Sequence, residues 1–351
     1  MHNLQLTEDQ SMVVETVQKY VEDAVMPTAL DQDEHRKFAQ AEFEGLGELG
    51  LFGLPVPEDS GGVGMGLLSL AAVCEEVGAA SGSLARLLSG QVQSALALGA
   101  AGGSALADVM TGEAVAAYLG PEHGLTLAGG EIRGECELVT GAGAASVLVV
   151  AVVADGEPAL CSVEAAQAGC RESRSLGFAS AAPAHVSFSG VAAEPVAVGA
   201  GAAAAIASAD LAGWIAGGGA CIGMGRASVA LAAKHASERI AFGKPLLKQQ
   251  AVLHKLTEAN RAVDAARHLV YHAARIADMG EDAVCSAMAA RVTAAEAAVA
   301  AADEGIQIHG GFGYTVEYHV ERHYRDAKTL EVLDGGNRGL RERLAAAQFA
   351  D

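Results

Sequence analysis

The run IQIHGGFGYT, residues 306–315, concentrates residue types that act on a ligand through the backbone rather than through a reactive side chain. An Ala-rich segment expected to be helical ends there in Gly310–Gly311, with Phe312 and Tyr314 just beyond. Two readings are open. A glycine after the last turn is how a large share of helices end. A glycine pair also lets a ligand approach main-chain N–H groups closely, which suits an anion. His309 reads as a packed helix-end histidine rather than an acid or base. Cysteine chemistry is not indicated: Cys74, Cys136, Cys161, Cys170, Cys221 and Cys285 are scattered without a CxxC or similar spacing. Neither a zinc site nor a disulfide framework is expected, and reduced thiols in a cytoplasmic protein are.

The elements that must position such a ligand site fall into three compositional zones of the 351-residue chain. Up to about Gly112 the pattern is helical. Thr7 and Gln10 form a capping box, and Val13, Val14, Val17, Tyr20, Val21 and Ala24 recur at helical spacing until Pro27. Further helices are expected over 38–49, 67–77 and 84–98. From Glu113 to about Gly199 the period shortens to β-prone stretches such as GECELVT, SVLVVAVV and AHVSFSGV, divided by turn residues. From position 200 onward the chain is helical again, with long elements over 211–238, 247–279 and 282–309. In the second of these Leu253, Leu256, Val263 and Val270 share a stripe, as in a helical bundle. The fold class expected is α+β, mostly α: an N-terminal helical domain (1–112), a small β-sandwich or barrel domain (113–199) and a C-terminal four-helix-bundle domain (200–351).

Composition limits the partners. A formal net charge of −20 argues against nucleic acid or an anionic membrane surface, whose phosphates such a protein repels. GAGAASVLVVAVVA, ending at Ala154, is too short to span a bilayer and reads as a strand, so no membrane insertion is expected. MHNLQLTEDQ has neither the basic nor the apolar segment of a secretory leader.

Four stretches resemble the acyl-CoA dehydrogenases in wording, order and spacing: LGELGLFGLPVPEDSGGVG (46–64), RIAFGKPLLKQQ (239–250), IQIHGGFGYTVEY (306–318) and ERHYRDAKTLEVLDGG (321–336). The resemblance implies a flavoenzyme fold with FAD as cofactor, its ring lying between the β domain and the bundle and its ADP half held by a neighbouring subunit. It also implies an acyl-CoA substrate and an electron-transfer acceptor. Gln307, Gly310 and Gly311 match contacts made to FAD from the adjacent protomer, Arg239 and Phe242 of RIAFG serve the same FAD, and Gln250 matches a further polar contact. A guanidinium fork fits phosphate oxygens, which agrees with that role for Arg239. Without the family, Arg239 reads as a charge complementing a helix dipole, and Phe242 and Tyr314 as core aromatics.

Dehydrogenation of a thioester needs a base for the α-proton while a hydride leaves the β-carbon for flavin N5. The family's glutamate in a YEGT-type turn corresponds to Asp334 of VLDGG. Aspartate withdraws the carboxylate by roughly 1.5 Å, and a displacement of that order costs about a hundredfold in rate unless the site is rebuilt. Asp334 also fits a plain turn before Gly335. The family's second base position falls on Ala212, with Gly213 where an arginine is often found. The TEP and GSD groups that hold a protomer's own flavin are absent from AAYLGPEHGLTLAGGEIRGECELVTGAGAAS, where Pro121 and Thr126 remain.

Motifs lent to a neighbour's FAD therefore persist while those for a chain's own flavin have decayed. The pattern resembles the short subunits of heteromeric sterol side-chain acyl-CoA dehydrogenases, and implies a homo-tetramer or, more in keeping with this asymmetry, a hetero-tetramer with a full-length homologue. A non-catalytic scaffold subunit and a flavin-dependent monooxygenase of the same fold are the alternatives. Gly213, Gly217 and Gly218 suggest room for a bulky or branched acyl group.

Overall fold

The computed structural model describes residues 5–349; the first four residues of the stretch read for a leader lie outside them. Helix α1 (Glu8–Tyr20) starts at the expected capping box, with the Gln10 amide nitrogen donating to Thr7 Oγ1 and the Thr7 amide to Gln10 Oε1. A π-helical turn, Val21–Val25, continues it. Then come α2 (Ala29–Glu34), α3 (Gln40–Glu48), α4 (Gly66–Ala80), α5 (Gly82–Ala101) and α6 (Leu106–Thr111). Ser81 both ends α4 and caps α5, its hydroxyl accepting from the Leu84 amide.

Eight strands follow in one sheet: β1 (Ala116–Leu119), β2 (Thr126–Ala128), β3 (Glu131–Val139), β4 (Val147–Ala154), β5 (Glu157–Glu164), β6 (Gly169–Glu172), β7 (Ala184–Ala192) and β8 (Pro195–Val198). The order is β6-β7-β3-β2-β4-β5-β8, with β1 also on β4. β1 and β2 run parallel along the same edge of β4, at Val147–Val150 and Val153–Ala154. The chain leaves that edge between them at Gly120–Gly124, and this excursion carries Glu122 and His123 away from the ladder. Leu119, Ile132, Val150, Cys161 and Val186, from strands across the sheet, meet in one buried cluster that is the sheet's own core. The run read as too short for a membrane supplies β4.

The remaining helices are α7 (Gly199–Glu238), α8 (Gln250–Asp278), α9 (Val284–His309), α10 (His319–Leu330) and α11 (Gly336–Phe349), with a hairpin β9 (Ile240–Ala241) and β10 (Lys244–Pro245) between α7 and α8. Helix α7 begins at Gly199 rather than 211, because the Ala202–Ala205 run is strongly helix-forming although no side-chain cap announces its start. Of the stripe expected on α8, Leu256, Val263 and Val270 are buried, but Leu253 is 49% exposed at the helix's open end. Helices α7 and α9 are long and apolar enough to cross a membrane; the most apolar window of α7 is 83% buried inside the protein, at the centre of the bundle.

The α7 glycines set how closely the helices pack. A Cβ at Gly223 would lie 2.0 Å from the Glu75 carbonyl oxygen and one at Gly219 2.4 Å from that of Ala71, so α4 rests directly on the α7 backbone. The room expected beside Gly213, Gly217 and Gly218 is absent, because this chain's own side chains fill it. Cβ atoms there would meet Gln93 Nε2 at 2.2 Å, Arg291 Nε at 2.7 Å and Val270 Cγ2 at 2.7 Å.

The ERHYRDAK run is a clamp. Asp326 Oδ1 accepts from the Phe178 amide at 2.6 Å and Thr329 Oγ1 from the Gly177 amide at 2.8 Å, tying α10 to the sheet's connecting loop. Arg325 joins Glu321, Asp33 and the Leu176 carbonyl, tying the same helix to α2. The turn carrying Asp334 leaves the end of this anchored helix.

Candidate functional site

Arg86 is the only charged residue of α5, and a lone charge on a buried apolar helix needs a partner. It is 8% exposed; Nη2 donates to Asp334 Oδ1 at 2.8 Å and Nε to Thr140 Oγ1 at 2.8 Å. Asp334 and Gly335 are held in the left-handed region (φ 55° and 78°), so the turn after α10 presents the carboxylate back toward α5. Arg291 supports that turn from behind: buried on α9, it donates to the Leu330 carbonyl at 2.6 Å.

Arg86, Asp334, Glu122 and His123 line a cavity of about 350 Å³ between α5, the Gly120–Gly124 excursion and the Asp334 turn. The Glu122 carboxylate folds back over Gly120, where a Cβ would meet its Oε2 at 2.4 Å. Burial, with the Asp334 charge beside it, pushes the Glu122 carboxyl up to about 8. Burial lowers His123 from the ordinary histidine range. Deeper in, Tyr118 donates to Asp210 Oδ1 at 3.1 Å, and the Arg343 guanidinium lies 4.8 Å from the Trp214 ring centre and 3.8 Å from Asp210 Oδ2. Burial pushes Asp210 up to about 6, with Arg343 and Tyr118 opposing. The space among Gln93, Tyr118, Asp210, Gly213 and Trp214 is only about 10 Å³, so it is filled.

The other expected contacts lie elsewhere. Arg239 follows α7 directly in extended conformation and is exposed. Phe242 and Gly243, both with positive φ (54° and 76°), form the tip of the β9–β10 hairpin. Both central residues left-handed is the two-residue hairpin geometry that ordinarily selects Asn or Gly. Here a phenylalanine accepts the strain, and its ring is 95% exposed. Tyr314 is 87% exposed, so neither is a core aromatic. Gln250 starts α8, and Gln307, Gly310 and Gly311 end α9, all exposed. A Cβ on Gly310 or Gly311 would meet nothing within 4 Å, so this backbone is open to approach. The helix ends are joined by a His235–His309 ring stack at 4.4 Å and a cluster of Ala232, Ala236, Leu256 and Ile308. His309 is the packed residue expected, its Nδ1 2.8 Å from the Gly305 carbonyl.

Asp334 is thus separated from the other six expected residues. Asp210, beside the first cavity, and His235, beneath the exposed face, are about 37 Å apart along α7. A dinucleotide with its ring beside Asp334 does not reach Arg239 of the same chain. Ala212, at the second base position, is fully buried and Gly213 is packed on Gln93. Sequence reasoning missed Arg86, Tyr118, Glu122, His123, Asp210 and Arg343. For Arg86 and Asp210 the available signal was a single charge within a long apolar helical stretch.

Residues 7–117 match the family described as "Acyl-CoA dehydrogenase, N-terminal domain" and residues 211–349 that described as "Acyl-CoA dehydrogenase, C-terminal domain". The chain is 30% identical to the probable acyl-CoA dehydrogenase YngJ of Bacillus subtilis, over 95% of this chain and 96% of that protein. Among solved structures, butyryl-CoA dehydrogenase from Megasphaera elsdenii is similar with a TM-score of 0.89 and 25% identity, covering 99% of each chain. A chain from a study of the electron transferring flavoprotein of Acidaminococcus fermentans is similar with a TM-score of 0.91 and 26% identity, covering both chains fully.

Proposed function

The chain belongs to the acyl-CoA dehydrogenase family, and we propose that it serves the α,β-dehydrogenation of an acyl-CoA thioester as one subunit of a mixed oligomer. In this reading its exposed Arg239, Phe242, Gln250, Gln307, Gly310 and Gly311 contact an FAD seated mainly in an adjoining full-length homologue. Bound FAD supplies the hydride acceptor. The chain's own residues bind and orient: the Arg239 fork takes phosphate oxygens, Gly310 and Gly311 admit an anion to the backbone, and the Phe242 ring offers an apolar surface. The observation carrying the reading is the separation along α7 of this face from Asp334.

The chain's own cavity does not fit a flavin ring. Arg86 crosses it to Asp334 and Thr140, three carboxyl groups border it, and the deeper space is filled by Gln93 and Trp214. An Arg86-bound Asp334 is an anchor for its turn rather than a free base, and the proton is taken on the partner. Electrons leave to an external acceptor. A supporting subunit without catalysis is the second reading, favoured by the same filled cavity.

The test is flavin retention by the assembled oligomer. Arg239→Ala is expected to weaken FAD binding by about tenfold or more, the scale of a lost charge-assisted hydrogen bond. Unchanged flavin affinity with assembly intact would exclude the lending role, and a colourless assembled protein would select the supporting subunit.

A further inference from the structure

A second cavity, of about 660 Å³, lies between the π-helical turn, the end of α4, the 226–234 stretch of α7 and the start of α10. Its walls are apolar: Val21, Met26, Ala79, Ala227 and Leu231 line it, and the alanines create the space. Single π-helical turns within helices are frequent at functional sites. A largely apolar pocket with a few placed polar groups is the usual form of a small-molecule site.

The polar group placed here is His323, which lines the cavity and is 1% exposed. Its Nδ1 is 3.2 Å from Ser228 Oγ, which also reaches the Met224 carbonyl at 2.8 Å. Its Nε2 is buried and has no hydrogen-bond partner among the described residues. A buried polar atom without a partner is costly, so an occupant that supplies one gains by binding there. Beside it, His319 Nδ1 accepts from Arg322 at 2.9 Å, and burial and the Arg322 charge keep both imidazoles neutral. At the rim, Glu22 and Glu76 add negative charge, while Arg226 is engaged by Glu76 at 2.7 Å. Lys234 is the rim's other cation. The rim's two carboxylates balance its two cations, and a neutral imidazole offers an anion no charge of its own. Because the Ser228 hydroxyl donates its proton to the Met224 carbonyl, its oxygen accepts from His323 Nδ1, which leaves Nε2 an acceptor that a hydroxyl satisfies and an ether oxygen does not.

We propose that this cavity binds a small apolar molecule of up to roughly twenty heavy atoms bearing a neutral hydroxyl, with that hydroxyl bonded to His323 Nε2. The cavity shares no lining residue with the Asp334 cavity and none with the six residues of the FAD-lending face.

Calorimetry on the full chain with 1-nonanol, its methyl ether and nonanoate tests this. The expected result is saturable binding of 1-nonanol at one site, weakened about tenfold for the methyl ether and for His323→Leu. Ala227→Phe, on the half-buried wall, is expected to abolish it. Should His323→Leu fail to fold, the ether comparison on the unaltered chain carries the same information. The proposal is overturned by non-saturable uptake, by equal affinity for the ether, by tighter binding of nonanoate, or by full affinity in Ala227→Phe.

Discussion

Replacing Arg86 with Met keeps the aliphatic stem in α5 and removes the guanidinium. The loss is a charge-assisted bond to Asp334 and one to Thr140, each 2.8 Å, with a longer 3.5 Å contact to Gln93. Hydrogen bonds to charged groups contribute about 1.5–3 kcal/mol each, and breaking a fully buried ion pair costs about 3–5 kcal/mol. Asp334 is 29% exposed and regains water when released, which places the net cost near the lower end, about 2–3 kcal/mol. At about 2.1 cal/mol/K per residue over this chain, that is a fall of about 3–4 °C in melting temperature. Asp334→Asn is expected to cost a comparable amount, and the double variant about 1.5 kcal/mol less than the sum of the two, because the pair shares one interaction. Thermal and urea unfolding of the three variants supply the cycle. Turnover by the assembled oligomer is expected to survive Asp334→Asn at any temperature where the protein stays folded. Strict additivity, or lost turnover without lost stability, would refute the anchoring role.

Gly223→Ala is expected to destabilise by about 3 kcal/mol or to prevent folding, since the new methyl meets backbone rather than a movable side chain, whereas Gly311→Ala is expected to fold normally; expression and melting temperature separate them. Phe242→Ser is expected to change stability by less than about 0.5 kcal/mol while weakening flavin retention in the assembled oligomer, because the ring is almost fully exposed; a large stability loss in the isolated chain would contradict its placement. Glu122, raised by burial and Asp334 to about 8, stabilises the fold while protonated. That contribution is full below the unfolded carboxyl value near 4.5 and is lost as pH rises toward 8, with a limiting slope of about 1.4 kcal/mol per pH unit. Glu122→Gln is therefore expected to gain stability relative to the unaltered protein across that window in unfolding measured from pH 5 to 8, and parallel pH profiles would contradict the shift.

What was legible in the sequence was local. The Thr7–Gln10 capping box, the helix ending in Gly310 and the change of period near Glu113 each depend on neighbours a few residues apart. The start of α7 was not legible, because an alanine run beside Gly199 and Gly201 carries helix propensity without a boundary signal. The exposed face was found only through the resemblance: propensity alone places Phe242 in a core, and its left-handed exposed position is set by the hairpin tip. The Asp334 cavity was least legible. Arg86, Tyr118, Asp210 and Asp334 are brought together by the packing of α5, β1, α7 and the turn after α10, and nothing local in a lone Arg86 names its partner 248 positions away.

The most direct test is to purify the chain alone and together with a co-expressed full-length homologue, and to count flavins per protomer by absorbance and protein mass. Little or no flavin on the chain alone, and one per pair of unlike chains in the assembly, is the result expected. One tightly held FAD per chain in the protein purified alone would contradict the account.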